Sequence, residues 1–174
     1  MIDDQRFAEA RMDVLTYRSD PLSSDFTIAG PVKADLWISM TGTDADFVVK
    51  IIDEYPSDAP ANSAGKAMAG YQMLVRAEVL RGKFHSNYSN PVPFVPKKIT
   101  NVKYELPDTL HTLRKGHRIV VQVQSSWFPL VDRNPQKFCD IYSATEADFK
   151  AETISLWRTK EHPSRVAFGV LTGD

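Results

Sequence analysis

Serine, histidine, aspartate and cysteine are the residue types whose spacing in this chain has to be tested for chemistry. A serine hydrolase of the α/β type carries its nucleophile in a G-x-S-x-G turn between a strand and a helix, because that tight turn lifts the hydroxyl clear of the backbone. The 174 residues contain no such pentapeptide. Ser125 and Ser126 instead close a strand-like run, where hydroxyls satisfy neighbouring backbone groups. His85, His111, His117 and His162 sit in separate segments, with neither H-E-x-x-H nor a helical i, i+4 pair to bring two imidazoles onto one metal. Asp44 and Asp46 in TGTDADF place two carboxylates close together, but an EF-hand needs a glycine at the sixth position of its loop and a glutamate at the twelfth. This segment runs into a strand instead, so turn capping is their expected role. The single cysteine, Cys139, excludes an intrachain disulfide and a multi-cysteine zinc site, and beside Phe138 and near Ile141 it reads as a small buried apolar residue. No metal and no cofactor is expected.

The remaining candidates are aromatic. Trp37, Trp127 and Trp157, with Tyr71, Tyr104, Phe128 and Phe168, are the raw material of a sugar-stacking platform, although most fall in strands where an aromatic ordinarily fills core or cross-strand space. The least ordinary segment is Ser126-Trp127-Phe128-Pro129 followed by Asp132-Arg133-Asn134-Pro135. Proline fixes one dihedral, and Asn and Asp bond their own backbone, so the segment is expected to be an ordered loop held by Asp132 and Arg133. Its aromatics fit two placements: anchors against a neighbouring domain, or part of this domain's own core.

The elements that position these residues alternate with a period of two. His117–Ser125 puts Ile119, Val121 and Val123 on one face and Arg118, Val120, Gln122 and Gln124 on the other. Val32–Thr41 does the same with Val32, Ala34, Leu36, Ile38 and Met40. Further strands are expected at 13–18, 26–28, 46–53, 71–80, 99–106, 153–158 and 165–171, with Pro107-Asp108 ending 99–106. The Pro, Ser, Ala, Asn and Gly of 56–70 predict a surface loop, and Pro91, Pro93 and Pro96 predict a crossing between sheets. Ser143 and Glu146 form the one capping-box signal, for a short helix. About eight strands without a long helix predict an all-β, two-sheet antiparallel sandwich over 13–174, with 1–12 as a linker.

Composition agrees with one globular domain: 43% of the residues are hydrophobic, and 21 Lys and Arg against 22 Asp and Glu leave the net charge at −1. Such a balance argues against nucleic acid or a membrane surface as partner. No run is long enough to span a bilayer, Met1-Ile2-Asp3-Asp4 lacks a secretory pattern, and the compartment is left open.

Three stretches, TGTDADFVVKIIDEYP, HRIVVQVQSSWFPLVDRNPQKF and HPSRVAFGVL, resemble the C-terminal domain of the family that holds cocaine esterase, the α-amino acid ester hydrolases, the glutaryl-7-aminocephalosporanic acid acylases and the X-Pro dipeptidyl-peptidases. The likeness runs from about Asp4 to Leu171. It implies a jelly-roll sandwich, galactose-binding-like in type, following a serine-nucleophile α/β-hydrolase domain and a helical cap. Those missing domains would be its partners, with a small acyl-ester, amide or peptide substrate reached only through them. It carries over no catalytic residue. It does imply that Trp127, Phe128, Pro129, Asp132, Arg133 and Asn134 belong to an inter-domain or structural signature. Two other classes remain, a carbohydrate-binding module and a domain that forms homo-oligomers through one apolar face.

Overall fold

The computed structural model describes residues 2–171. They form one helix, α1 (Arg6–Glu9), and eight strands: β1 (Val14–Arg18), β2 (Phe26–Met40), β3 (Asp46–Glu54), β4 (Gln72–Arg81), β5 (Thr100–Leu113), β6 (Arg118–Gln124), β7 (Ile154–Leu156) and β8 (Arg165–Leu171). One sheet has the order β1-β6-β3-β4. The other places β5 on one side of β2 and both β7 and β8 on the other. β7 pairs with Ile38–Met40 and β8 with Thr27–Asp35, so these two short strands lie end to end along one edge. Every pairing is antiparallel, giving the expected two-sheet sandwich.

The core follows from the alternation. Val32, Ala34, Leu36, Ile38 and Met40 of β2 meet Phe47, Val49 and Ile51 of β3, with Val102, Tyr104 and Leu106 of β5 beside them, all buried. Each such side chain contributes roughly 1.5–3 kcal/mol by leaving water. Tyr104 can take its phenol inside because the hydroxyl donates to the Phe47 carbonyl at 2.9 Å.

Four local expectations are corrected. The two runs 26–28 and 32–41 are one strand, bent at a bulge where Gly30 adopts φ +89°. Pro107 does not end β5: the ladder jumps from Val32 opposite Leu106 to Gly30 opposite Thr109, so Pro31 and Pro107 both fall where no ladder N–H is required. A second bulge, at Ile51/Ile52, breaks the alternation of β4, and Leu80 and Val75 both reach the core. The capping box is formed by Thr145 and Asp148, over a single 3-10 turn at Glu146–Asp148, whereas Ser143 bonds Asp140. The crossing from β4 to β5 runs as expected through the proline-rich segment. It begins at Gly82, where a Cβ would come within 2.2 Å of the Ala45 carbonyl oxygen.

Residues 3–12, expected as a linker, lie over the outer face of the first sheet. The Gln5 N–H donates to the Gln72 carbonyl, and Gln5 and Ala8 are fully buried. This cover explains why β3 is buried on both faces.

Candidate functional site

β6 leaves its sheet at Gln124, whose amide nitrogen donates to the Ser126 carbonyl at 2.6 Å and turns the chain outward. Trp127 then folds back over the outer face of the sheet, where it is 6% exposed. Beneath it lies Lys50, fully buried, with its ammonium 4.7 Å from the Trp127 ring centroid and 5.8 Å from that of Phe7. The same nitrogen donates to Gln5 Oε1 at 2.9 Å. Burial lowers the Lys50 pKa to about 8, and the positive charge of Arg11 acts in the same direction. Lys50 therefore ties together β3, the covering segment 3–12 and the loop after β6.

Beyond Trp127 the loop turns outward. The Phe128–Pro129 peptide is cis, Pro129 is exposed, and Phe128 and Leu130 are 57% and 55% exposed. The chain is fixed again at Asn134. Its amide nitrogen donates to Asp46 Oδ1 at 2.8 Å and to Asp44 Oδ2 at 3.2 Å, and its oxygen accepts the Gln136 backbone N–H at 2.8 Å. Further along, the Phe138 N–H donates to Thr43 Oγ1 and Lys83 donates to the Cys139 carbonyl. Together these contacts staple the loop to the turn between β2 and β3, to the start of β3 and to the segment that follows β4. Burial raises both acidic pKa values, that of Asp46 to about 6, while Asn134 and the Arg81 guanidinium 3.4 Å away act against it.

The residue that pins the loop is thus Asn134, not an Asp132–Arg133 pair. The Asp132 carbonyl accepts from Arg81, and the Arg133 guanidinium lies 4.9 Å from the Phe149 ring centroid. Cys139, expected to be buried, is a half-buried free thiol. Asp44 caps its turn through the Ala45 N–H.

The seven aromatics form no single platform. Trp37 and Trp157 do come together, with the His162 ring edge-on to both at 4.9 and 6.3 Å and the Trp157 indole nitrogen donating to Ser39, whereas Phe168 packs on Phe26 and Tyr104 points inward. Of the other histidines, His85 bonds the Gly82 carbonyl. His111 and His117 bond the two oxygens of buried Asp53 at 2.9 and 2.7 Å. This last cluster had no linear signal, because its three members come from three strands or their ends. Among the described residues, none of these imidazoles bonds Ser125 or Ser126, and no group of three His, Cys, Asp or Glu side chains is arranged to hold a metal.

The sequence and the fold of this chain are shared with known proteins. Residues 3–167 match the model of the X-Pro dipeptidyl-peptidase C-terminal non-catalytic domain. Cocaine esterase from Rhodococcus sp. (strain MB1 Bresler) is 30% identical over 168 residues, covering 97% of this chain and 27% of that protein. An aminopeptidase from a marine-sediment Thaumarchaeota archaeon superposes with a TM-score of 0.92 at 41% identity, over 98% of this chain and 28% of its own. An α-amino acid ester hydrolase superposes at 0.91 with 37% identity, over 98% and 27%. The chain thus spans little more than a quarter of each of these proteins.

Proposed function

The chain belongs to the family of X-Pro dipeptidyl-peptidase C-terminal non-catalytic domains, and on that premise we propose that it is the sandwich part of a longer serine hydrolase acting on α-amino acyl esters or amides. The observation that carries this reading is end-to-end similarity to two hydrolases whose names specify amino-acyl substrates, each about three and a half times its length. In such an enzyme a serine hydroxyl of the catalytic part attacks the acyl carbon. Its proton passes through a base to the departing alcohol or amine, and water then releases the acid from the acyl-enzyme. This domain would supply none of those groups. Its contribution is a rigid wall: the loop fixed by Lys50–Trp127 and Asn134 would hold Phe128 and Leu130 outward against the hydrolase or cap domain, beside the substrate entrance.

The test is direct. The purified chain is expected neither to hydrolyse p-nitrophenyl acetate nor to react with a fluorophosphonate, whereas the longer polypeptide containing it does both. Stoichiometric labelling of the isolated chain at Ser125 or Ser126 would overturn the reading.

A further inference from the structure

The two sheets differ in width. Four strands stand side by side in the first, but β7 and β8 share one edge of β2, so the second is three strands wide. At the β4/β5 side the sheets meet: Arg76 of β4 donates to the Asp108 carbonyl at 2.6 Å and to Thr109 Oγ1 at 3.1 Å. At the opposite side β1 overhangs. The inward-facing Ile119, Val121 and Val123 of β6, Ile154 and Leu156 of β7, and Val166 of β8 are only partly buried. Leu15 of β1 is 43% exposed. Two cavities of about 180 and 360 Å³ lie along this mouth and share Val123 and Leu156 in their walls. The Arg158 guanidinium, 5.2 Å from the Tyr17 ring centroid, reaches across it.

A larger cleft, of about 730 Å³, opens at the end of the sandwich where β3 leads into β4 and β5 into β6. Small-molecule sites commonly span roughly 300–1,000 Å³. Residues 55–71 form one wall. They make an arch whose feet are pinned by the Tyr55 N–H on the Tyr71 carbonyl and the Gly70 N–H on the Pro56 carbonyl, both at 2.9 Å. Lys115 and His117 form the other wall. Tyr55 and Tyr71 meet edge to face with 6.1 Å between centroids, and each ring is held by further contacts. His117 leans on Tyr55 at 4.4 Å, and its Nδ1 bonds buried Asp53 at 2.7 Å. An ionised carboxylate only accepts, so Nδ1 carries the hydrogen and the imidazole cannot turn over without losing that bond. Tyr71 donates its hydroxyl to Asp3 and lies 4.4 Å from the Lys66 ammonium, measured to the ring centroid. Asp58 and Lys115, both exposed, line the same cleft, and among the described residues neither side chain forms an ion pair or a hydrogen bond.

We propose that this cleft binds a free α-amino acid with an aromatic side chain, its ring against Tyr55 and Tyr71, its carboxylate at Lys115 and its ammonium at Asp58. Rings locked before the ligand arrives lose little freedom on binding, so the aromatic pair supplies affinity at low entropic cost. The two charges then select among aromatic ligands. An aryl acid without an ammonium leaves Asp58 unmatched, and an aryl amine without a carboxylate leaves Lys115 unmatched, whereas a zwitterion meets both. Because these charges are solvated, each is worth a few-fold in affinity rather than orders of magnitude. An α-amino acid is also what the hydrolysis proposed above would release, but the chemistry of the cleft selects it without that reading.

The test is a calorimetric titration with L-phenylalanine, hydrocinnamate, which lacks the ammonium, phenethylamine, which lacks the carboxylate, and L-alanine, which lacks the ring. It is run on the chain of 174 residues and on the longer polypeptide containing it. L-Phenylalanine is expected to bind both at least threefold more tightly than hydrocinnamate or phenethylamine, and at least tenfold more tightly than L-alanine. It should also slow hydrogen exchange in residues 55–71 at least threefold. Lys115→Ala should abolish the preference over phenethylamine, and Asp58→Ala the preference over hydrocinnamate; both positions are exposed, so neither change threatens the fold. Hydrocinnamate that binds as tightly as L-phenylalanine, variants that keep both preferences, or the absence of saturable binding overturns the proposal. Binding to the short chain that the longer polypeptide lacks gives the cleft to upstream residues and overturns it as well. A longer polypeptide that does not react with a fluorophosphonate sinks the hydrolase reading and leaves this site standing.

Discussion

β5 and β6 alternate almost equally well in sequence, yet the two strands end in opposite situations. In β5 the apolar face is buried, with Val102, Leu106 and Leu113 at 0–1% exposure, and Lys103 and Glu105 face water. In β6 the more apolar face, Ile119, Val121 and Val123, is only partly buried, whereas Val120, Gln122 and Gln124 on the other face are buried at 0–4%. The first strand lies beneath a sheet that covers it. The second lies where the opposing sheet runs out, and its polar face is roofed by residues 3–12 and Trp127. Alternation therefore reports that a strand has two faces, while the width of the facing layer decides which one is dry.

Truncation should expose this difference most strongly. Leu106→Ala on the closed side should cost about 3 kcal/mol in urea unfolding of the isolated chain, and Val123→Ala at the mouth about 1 kcal/mol or less, because a half-exposed site leaves little cavity. Equal costs would mean that the mouth is already closed.

The ionisable groups sharpen the contrast next. At one end of β3, buried Asp53 accepts from two imidazoles, while at the other end Asp46 accepts from Asn134 and the more distant Arg81 and is governed by burial. Its folded pKa, about 6 against an ordinary 3.8, means that the folded state holds a proton the unfolded chain has released. That contribution is present in full below 3.8 and is lost as pH rises through about 6. It is worth on the order of 2–3 kcal/mol. Asp46→Asn should flatten the pH dependence of the unfolding free energy across that window, and an unchanged slope would place the titration elsewhere.

The smallest expected effect concerns the arginine on each side. Arg76→Ala removes two hydrogen bonds that join β4 to β5 and should cost about 1 kcal/mol, whereas Arg158→Ala, which loses only an exposed stacking contact, should cost about 0.5 kcal/mol or less. Chemical denaturation of the two variants side by side decides it.

Much of this molecule was legible before folding. Val32 through Met40 announced their core face, the prolines of 91–96 announced a crossing, and Trp127 through Pro135 stood out as a loop with unusual constraints. The bulges were not legible as such. Pro107 looked like a strand end and Pro31 fell in the gap between two expected strands, and only their juxtaposition across β2 and β5 lets both sit inside a continuous ladder. Asn134 was named with Asp132 and Arg133, but nothing in the linear order distinguished the one that reaches Asp44 and Asp46, nearly ninety residues earlier.

What the sequence determined by itself is local: a period of two, glycine where φ is positive or a backbone passes close, and proline where no donor is needed. These depend on sterics and hydrogen bonding within a few residues. The tertiary structure decided what lies opposite. It put a lysine beneath a tryptophan, gathered His111 and His117 onto the buried carboxylate of Asp53, and left Leu15 on the inner face of β1 half-exposed. Such outcomes depend on how many strands each sheet acquires and on which chain segment crosses it, and no single strand carries that information.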